Sequence, residues 1–287
     1  MTDFRAAAFR TSRRPAIFVA RLHKRRLMHF LTMVIGDDPD EQLEPFQDNN
    51  FDTCPQAFLE FHDVEDEHRE RYLSGVFDGP GVKANDPERY GRPLREVFPT
   101  FDDYMDAVHG PRDERTGRYG DWFNPNAQYD WYQLGGRFTG HLILKPGRNG
   151  LLGCPGVFRT SPGVGLADQA RMRDVDFAAM SRERYARYLA TWSELENEGG
   201  TTDRRAKRSH NIPGTISTRE EFLDYARKRS TVNAPSAVLV NGEWWGPWWA
   251  TDGLTEVAAF QWDAWYAENL EWFSDDTLLT VIDCHVC

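Results

Sequence analysis

The pattern of apolar and polar positions divides the chain into strand-like and helix-like segments. Runs rich in β-branched and aromatic residues predict strands at 29–36, 57–64, 129–145, 236–246 and 276–287. Apolar residues at helical spacing, with capping residues or closing glycines, predict helices at 65–75, 100–110, 176–197 and 217–230. A further helix is predicted within 255–270, at least from Gln261 onward. Glycine, proline and charge predict loops at 78–100, 147–165 and 200–217.

This order of elements predicts an α+β protein with a mainly antiparallel sheet and helices packed on one face. No glycine fingerprint of a dinucleotide-binding unit follows a strand, and the P-loop, nucleophile-elbow and EF-hand signatures are missing from the sequence. A length of 287 residues can bury one large core. We therefore predict a single α+β domain over residues 28–287.

Residues 1–27 differ from the rest of the chain in charge. They carry eight Lys or Arg residues against one acid, Asp3, although the whole chain has a net charge of −11. We interpret them as a basic N-terminal arm, either a disordered tail or a segment that precedes a true start at Met28. Because the acidic body repels phosphates, nucleic acid is expected to bind only through this arm.

The predicted strand 129–145 carries a candidate ligand site. Strand alternation places several polar and aromatic residues on the face opposite the apolar one. Gly135 and Gly136 would let a ligand approach the backbone, and the planar guanidinium of Arg137 suits a carboxylate or phosphate. The predicted ligand-binding residues of this strand are Trp131, Gln133, Gly135, Gly136, Arg137 and His141. The alternative is that Arg137 only pairs with an acid and that the glycines mark a bulge.

The C-terminal strand places Asp283 and His285 on one face and Cys284 on the other, core-facing one. An aspartate beside a histidine can orient the imidazole for acid–base work, so these two are the predicted catalytic residues. The alternative is a structural hydrogen-bonded pair.

Metal binding has little support in the sequence. Cys284 and Cys287 have zinc-like spacing, but strand alternation points the two thiols apart and no second CxxC follows. His62 and Asp63 could join the terminal pair in a metal site only if the fold brought them together. The sequence therefore predicts no metal site, and any cofactor stays unknown.

Tryptophans concentrate in the segment GEWWGPWW, residues 242–249. Trp244 and Trp245 follow an Asn-Gly hairpin signal, and Trp248 and Trp249 come after Gly-Pro. These rings could form a stacking platform for a base or sugar, or they could seal an edge of the core. We include Trp244 and Trp245 among the predicted ligand-binding residues.

Three separated stretches together resemble a group of uncharacterised bacterial and bacteriophage proteins. They are the HFLT start after Met28, the motif NPNxxYDWYxLGGRF over residues 124–138 and the TVIDCHV end from Thr280. The resemblance implies a phage or mobile-element origin. The group has no established activity, so the resemblance assigns no catalytic residue.

The sequence leaves two functions open. The first is a polar and aromatic site for an anionic small molecule, a nucleotide or phosphoester, which could be enzymatic. The second is a non-catalytic protein that binds a host protein through an acidic, aromatic-rich surface. Four cysteines are too few for a disulfide scaffold, and no apolar run reaches the length of a membrane span. We therefore expect a cytoplasmic protein with no membrane contact.

Overall fold

A computed structural model describes residues 28–78, 85–200, 212–213, 215–246 and 256–286. The predicted basic arm 1–27 lies outside the described residues, as do Trp248, Trp249 and Cys287. The helices are α1 Pro39–Leu43, α2 Glu65–Ser74, α3 Leu94–Val97, α4 Phe101–Val108, α5 Phe177–Asn197, α6 Arg219–Arg229 and α7 Glu256–Leu270.

The strands are β1 Met28–Ile35, β2 Glu60–Asp63, β3 Gly120–Phe123, β4 Trp131–Leu134, β5 Leu142–Ile143, β6 Asn149–Cys154, β7 Val157–Val164, β8 Leu166–Ala167, β9 Gln169–Arg171, β10 Ala237–Val240, β11 Glu243–Trp245 and β12 Leu278–Val286. The main sheet has eight strands in the order β11-β10-β1-β12-β9-β6-β7, with β4 also paired to β12. Its β1–β10 pair is parallel and its other pairs are antiparallel, which confirms the predicted α+β class with a mainly antiparallel sheet.

Strand β12 is the centre of this sheet. It pairs with β1 along nearly its whole length on one side. On the other side it pairs with β9 at its start and with β4 towards its end, so the neighbouring strand changes near Val281. Leu279 and Val281 pack into one core cluster, and Ile282 and Cys284 pack into another. A central strand covered on both faces accounts for the nearly continuous apolar run in this segment.

The long helices cover one face of the sheet, as predicted. Met180 of α5 and Tyr266 and Leu270 of α7 pack against the same cluster as Leu279. Helix α6 lies on α5, where Phe222 stacks on Trp192 with ring centroids 4.6 Å apart. The opposite face is covered by α1 and by aromatic side chains from the segments around β4 and β11.

A smaller unit of structure stands beside the main sheet. Strands β2 and β3 form a two-stranded antiparallel sheet, and α2, α3 and α4 supply a separate apolar cluster around Tyr104 and Met105. Thr100 begins α4 with a capping box to Asp103, which satisfies two of the free N–H groups at the helix start.

Two sequence predictions are wrong. The segment 129–145 is not one strand, because Gly135 and Gly136 have φ values of 67° and 50° that break it into β4, a 3-10 turn and β5. The segment 147–165 is not a loop but the hairpin of β6 and β7. Its glycines and prolines obscured the strand pattern, and Gly156 belongs to the tight turn between the two strands.

Replacing Leu279 with Ala should lower the free energy of unfolding by about 2–5 kcal/mol, because it opens a cavity in the centre of the core. Leu279 is 0% exposed, whereas Leu151 is 41% exposed and serves as the matched control. Leu151→Ala should change stability by less than about 1 kcal/mol. Urea unfolding of both variants would check this, and equal losses would contradict the central place of β12.

Candidate functional site

The candidate site centres on residues Gly135–Gly140, which we call the glycine loop. It leaves the sheet where β4 ends and β9 takes over as the neighbour of β12. At this point the N–H of Gly135 donates to the carbonyl of Val281 at 2.9 Å, and the N–H of Val281 donates to the carbonyl of Asp168 at 2.7 Å. The change of neighbouring strand therefore creates the gap from which the loop emerges.

Asp283 joins the glycine loop to a histidine. Its Oδ2 accepts the backbone N–H of Arg137 at 2.8 Å, and its Oδ1 accepts the Nδ1–H of His29 at 2.9 Å. A Cβ atom on Gly136 would lie 2.4 Å from the same Oδ2, so the missing side chain is what lets the carboxylate approach. The space that the sequence predicted for a ligand at Gly136 is filled by Asp283 itself.

The predicted pairing of Asp283 with His285 is replaced by two cross-strand pairs. His29 and His285 are directly opposite in the β1–β12 register, with ring centroids 4.9 Å apart. Asp283 bonds to His29, whereas Nδ1 of His285 lies 3.5 Å from Oδ2 of Asp130. Side chains two residues apart on one strand are separated by about 6.5 Å, whereas cross-strand and diagonal neighbours come closer.

Trp131 completes a group of three rings around these pairs. Its indole stacks on the imidazole of His285 with centroids 4.8 Å apart and meets His29 edge-on at 5.6 Å. Asp130 is buried and also accepts a hydrogen bond from Nδ2 of Asn50 at 2.6 Å. The side chain of His29 remains 13% exposed and that of His285 7%, so His29 is the more accessible imidazole.

Arg137, the third residue of the glycine loop, is exposed. Among the described residues no acidic side chain forms an ion pair with it. Its backbone is fixed by Asp283, and the following Phe138 packs against the main core cluster. The alternative in which Arg137 only neutralises a neighbouring acid is therefore not what the described structure shows.

The side-chain amide of Gln133 bonds to the backbone of the turn between β6 and β7. Its Nε2 donates to the carbonyls of Cys154 and Val157 at 2.8 and 2.7 Å, and its Oε1 accepts the N–H of Gly156 at 3.3 Å. These contacts use both ends of the amide to hold the β6–β7 turn beside β4. Gln133 thus shapes the wall of the site, and its amide is not available to a ligand.

Asp168 is a functional candidate that the sequence analysis missed. Its carboxylate accepts the N–H groups of Gly140 at 2.6 Å and Gly153 at 2.8 Å, and a Cβ atom on Gly135 would lie 2.2 Å from it. Burial raises the pKa of this carboxyl, and the N–H groups of Gly153 and Gly140 oppose that shift. The signal available in the sequence was the preceding glycines, Gly140 and Gly153 among them, whose N–H groups need an acceptor.

The imidazole of His141 bonds to a residue outside the predicted set. Its Nε2 accepts a hydrogen bond from Asn233 at 3.3 Å. Burial, together with Arg187 and Arg184, lowers the pKa of His141 to about 4. A cavity of about 30 Å³ next to Asn233, on the α5 side, is lined by apolar groups and by a few polar ones such as Ser181. His141 therefore belongs to the helix-covered side of the sheet.

Trp244 and Trp245 do not join the glycine loop either. Strand β11 is separated from β12 by β10 and β1, a distance of roughly 14 Å across the sheet. Trp244 packs with Phe30 and Phe46 on the face away from His29, and Trp245 stacks on Trp265 of α7 at 5.5 Å. Both rings seal the core, which is the second of the two alternatives for this segment.

Metal ligands do not assemble in the described part of the chain, where no group of three or more His, Cys, Asp or Glu side chains is arranged to hold an ion. His62 and Asp63 lie in the β2–β3 sheet, and Asp63 there accepts the N–H of Glu65 at the start of α2. Among the described residues, these two do not join Asp283 and His285 in a group that could hold an ion.

Comparisons with family models, with curated proteins and with solved structures found no match for this chain. The resemblance carried by the 124–138 motif therefore stays an expectation. Within the described residues, no helix combines the length and the apolar character that a membrane span requires.

Gly135→Ala should destabilise the protein by roughly 3 kcal/mol or more, because backbone strain adds to overlap with the buried Asp168 carboxylate. Gly147 provides the control, since its φ is 75° and nothing lies within 4 Å of an added Cβ. Gly147→Ala should cost only about 1–2 kcal/mol. Chemical unfolding of both variants measures the difference, and equal costs would argue against the close carboxylate contact.

His141 should make stability depend on pH in a defined window. Its pKa in the folded protein is about 4, below the ordinary 6.5, so the unfolded chain binds the proton first as the pH falls. The wild type should lose stability relative to His141→Gln between pH 6.5 and 4, by at most about 1.4 kcal/mol per pH unit. Urea unfolding at several pH values measures this difference; parallel curves for the two proteins would contradict it.

Proposed function

We propose that the protein binds an anionic ligand of the nucleotide or phosphoester class at the glycine loop, through Arg137. In this proposal His29 and Asp283 lie beside the bound anion and handle a proton. The observation that carries the proposal is the double role of Asp283, whose two oxygens bond to His29 and to the backbone of Arg137. One buried carboxylate thus bonds to an imidazole and to the backbone of the residue that carries the exposed guanidinium.

Arg137 has the properties of an anion-binding residue. The chain carries a net charge of −11, yet this exposed arginine forms no ion pair with a described acidic side chain. A guanidinium on a fixed backbone loses less conformational freedom when it binds a planar or tetrahedral anion with two hydrogen bonds. The hydrogen bond from the Arg137 N–H to Asp283 provides that fixed backbone.

His29 replaces His285 as the imidazole that we assign to proton transfer. Its Nδ1 donates to Asp283, which orients the ring and leaves Nε2 as the proton-accepting atom. His285 is more deeply buried between Trp131 and Asp130, and we assign it the role of supporting the ring of His29. Trp131 offers a ring next to both imidazoles for an apolar part of the ligand.

Replacing Arg137 with Ala should weaken binding of an anionic ligand by about 10- to 100-fold, since it removes charge-assisted hydrogen bonds. The measurement is the thermal shift of the purified protein with inorganic phosphate, pyrophosphate, AMP and ATP, followed by titration of any ligand that stabilises it. Arg137→Lys should recover part of the affinity because it keeps the charge but not the fork geometry.

Arg182 of α5 supplies the matched control, because it is also an exposed arginine but lies on a helix. Arg182→Ala should leave both affinity and melting temperature close to the wild type. The proposal fails if none of these ligands stabilises the wild type, or if Arg137→Ala binds as well as Arg182→Ala does.

The non-catalytic alternative has one observation in its favour. Asp283, Asp130 and His285 are buried in pairs, which is also how polar side chains specify a unique core without any chemistry. Under this alternative the protein binds a host protein through its acidic, aromatic-rich surface. His29→Gln separates the two functions, because it should abolish turnover of a bound phosphoester in the first and alter only stability in the second.

A bacteriophage or mobile-element origin is part of the same proposal and is supported by the three resembling stretches alone. A reducing, cytoplasmic setting is supported by the free thiols of Cys54, Cys154 and Cys284. Nucleic acid, if it binds, is expected at the basic arm 1–27, whose structure lies outside the described residues.

A further inference from the structure

We infer that Asp168 is a positioning residue, which holds the glycine loop so that Arg137 presents its guanidinium to the ligand. The inference rests on the proposed function, since it concerns the same site. Asp168 is 0% exposed, so it touches no ligand and can act only through the loop that it holds.

Asp168 ties the glycine loop to the neighbouring hairpin. Its Oδ1 accepts the N–H of Gly140, the last residue of the loop, and its Oδ2 accepts the N–H of Gly153 in β6. The hydroxyl of Thr139 lies between two acceptors, the same carboxylate and the carbonyl of Gly136 at 2.9 Å, and its single hydrogen serves one of them at a time. A buried carboxylate that accepts several N–H groups is stabilised only in that one arrangement.

The carboxylate is itself rigidly placed. The N–H of Asp168 donates to the carbonyl of Leu151 in β6, and its carbonyl accepts the N–H of Val281 in β12, both at 2.7 Å. Its backbone is therefore bonded to the hairpin on one side and to the central strand on the other. The position of the loop relative to β12 follows from this pair of bonds.

Two carboxylates thus clamp the loop, one at its exposed arginine and one at its last residue. Asp283 holds the N–H of Arg137, and Asp168 holds the N–H of Gly140 three residues later. The first of these two positions lies within the 3-10 turn Gly136–Phe138, and the second lies two residues after that turn ends. Without the Asp168 anchor, the end of the loop at Gly140 would lose its hydrogen bond to the carboxylate, and the loop that carries the guanidinium would have to be ordered when the ligand binds.

The test uses the full-length protein with Asp168→Asn, which keeps one acceptor oxygen but turns an N–H donor towards the other backbone N–H. Pyrophosphate and AMP are the probes, and Kd is measured by titration calorimetry. We expect Kd to rise about tenfold, and we expect trypsin to cleave after Arg137 about tenfold faster because the loop opens locally. Cleavage after Arg182 in α5 serves as the internal reference and should stay unchanged relative to the wild type.

Two further variants separate positioning from general destabilisation. Asp263→Asn removes another buried carboxylate, which lies in α7, accepts a hydrogen bond from Arg229 of α6 and, among the described residues, makes no hydrogen bond to the loop. It should lower the melting temperature without changing Kd or the cleavage after Arg137. Thr139→Val removes the hydroxyl that lies between the Asp168 carboxylate and the Gly136 carbonyl; the variant should fold normally and should raise Kd by roughly threefold. This variant provides the test if Asp168→Asn does not fold.

The inference is overturned if Asp168→Asn and Thr139→Val both keep the wild-type Kd, or if Asp263→Asn weakens binding and speeds cleavage after Arg137 as much as Asp168→Asn does. If the wild type binds neither probe, the proposed function fails. The rate of tryptic cleavage after Arg137 in Asp168→Asn then decides alone whether Asp168 fixes the loop. A selective acceleration relative to the wild type supports the clamp, and an unchanged rate contradicts it.

Discussion

The candidate site depends on two buried carboxylates that accept hydrogen bonds from the backbone of one glycine-rich loop. A carboxylate inside a protein is tolerated only when donors surround it, and Asp283 and Asp168 find those donors largely in backbone N–H groups. Glycine is required at 135 and 136 because a Cβ atom there would overlap the carboxylates. The double glycine and the two aspartates therefore depend on each other, although they lie far apart in the sequence: the glycines leave room for the carboxylates that bond to the loop.

Strand β12 connects the glycine loop to the rest of the fold. Its neighbour on one side changes from β9 to β4 near Val281, and the glycine loop leaves the sheet through that interruption. On its other side β1 brings His29 opposite His285. The same strand thus supplies core residues on both faces, the carboxylate that fixes the loop and one of the two imidazoles, which concentrates polar groups at the end of an otherwise apolar strand.

Much of the fold follows from local pattern. Period-two alternation located β1 and β12, and helical spacing with capping residues located α5 and α6, since these signals lie within a few residues of each other. The same reasoning failed over 129–145, where φ values that only glycine adopts freely end the strand after Leu134. It also failed for the β6–β7 hairpin, whose strands are stabilised by pairing with each other and with β9 rather than by their own composition.

The sequence alone determined the α+β class and the placement of Asp283 and His285 on one face of the last strand. Tertiary structure decided the partners. Asp283 bonds to His29, 254 positions away, and His285 lies beside Asp130. Asp168 binds the glycine loop, whereas the side chains of His141, Trp244 and Trp245 pack elsewhere in the structure. The reason is physical: alternation fixes which face a side chain occupies, but strand order and register fix which side chains share that face.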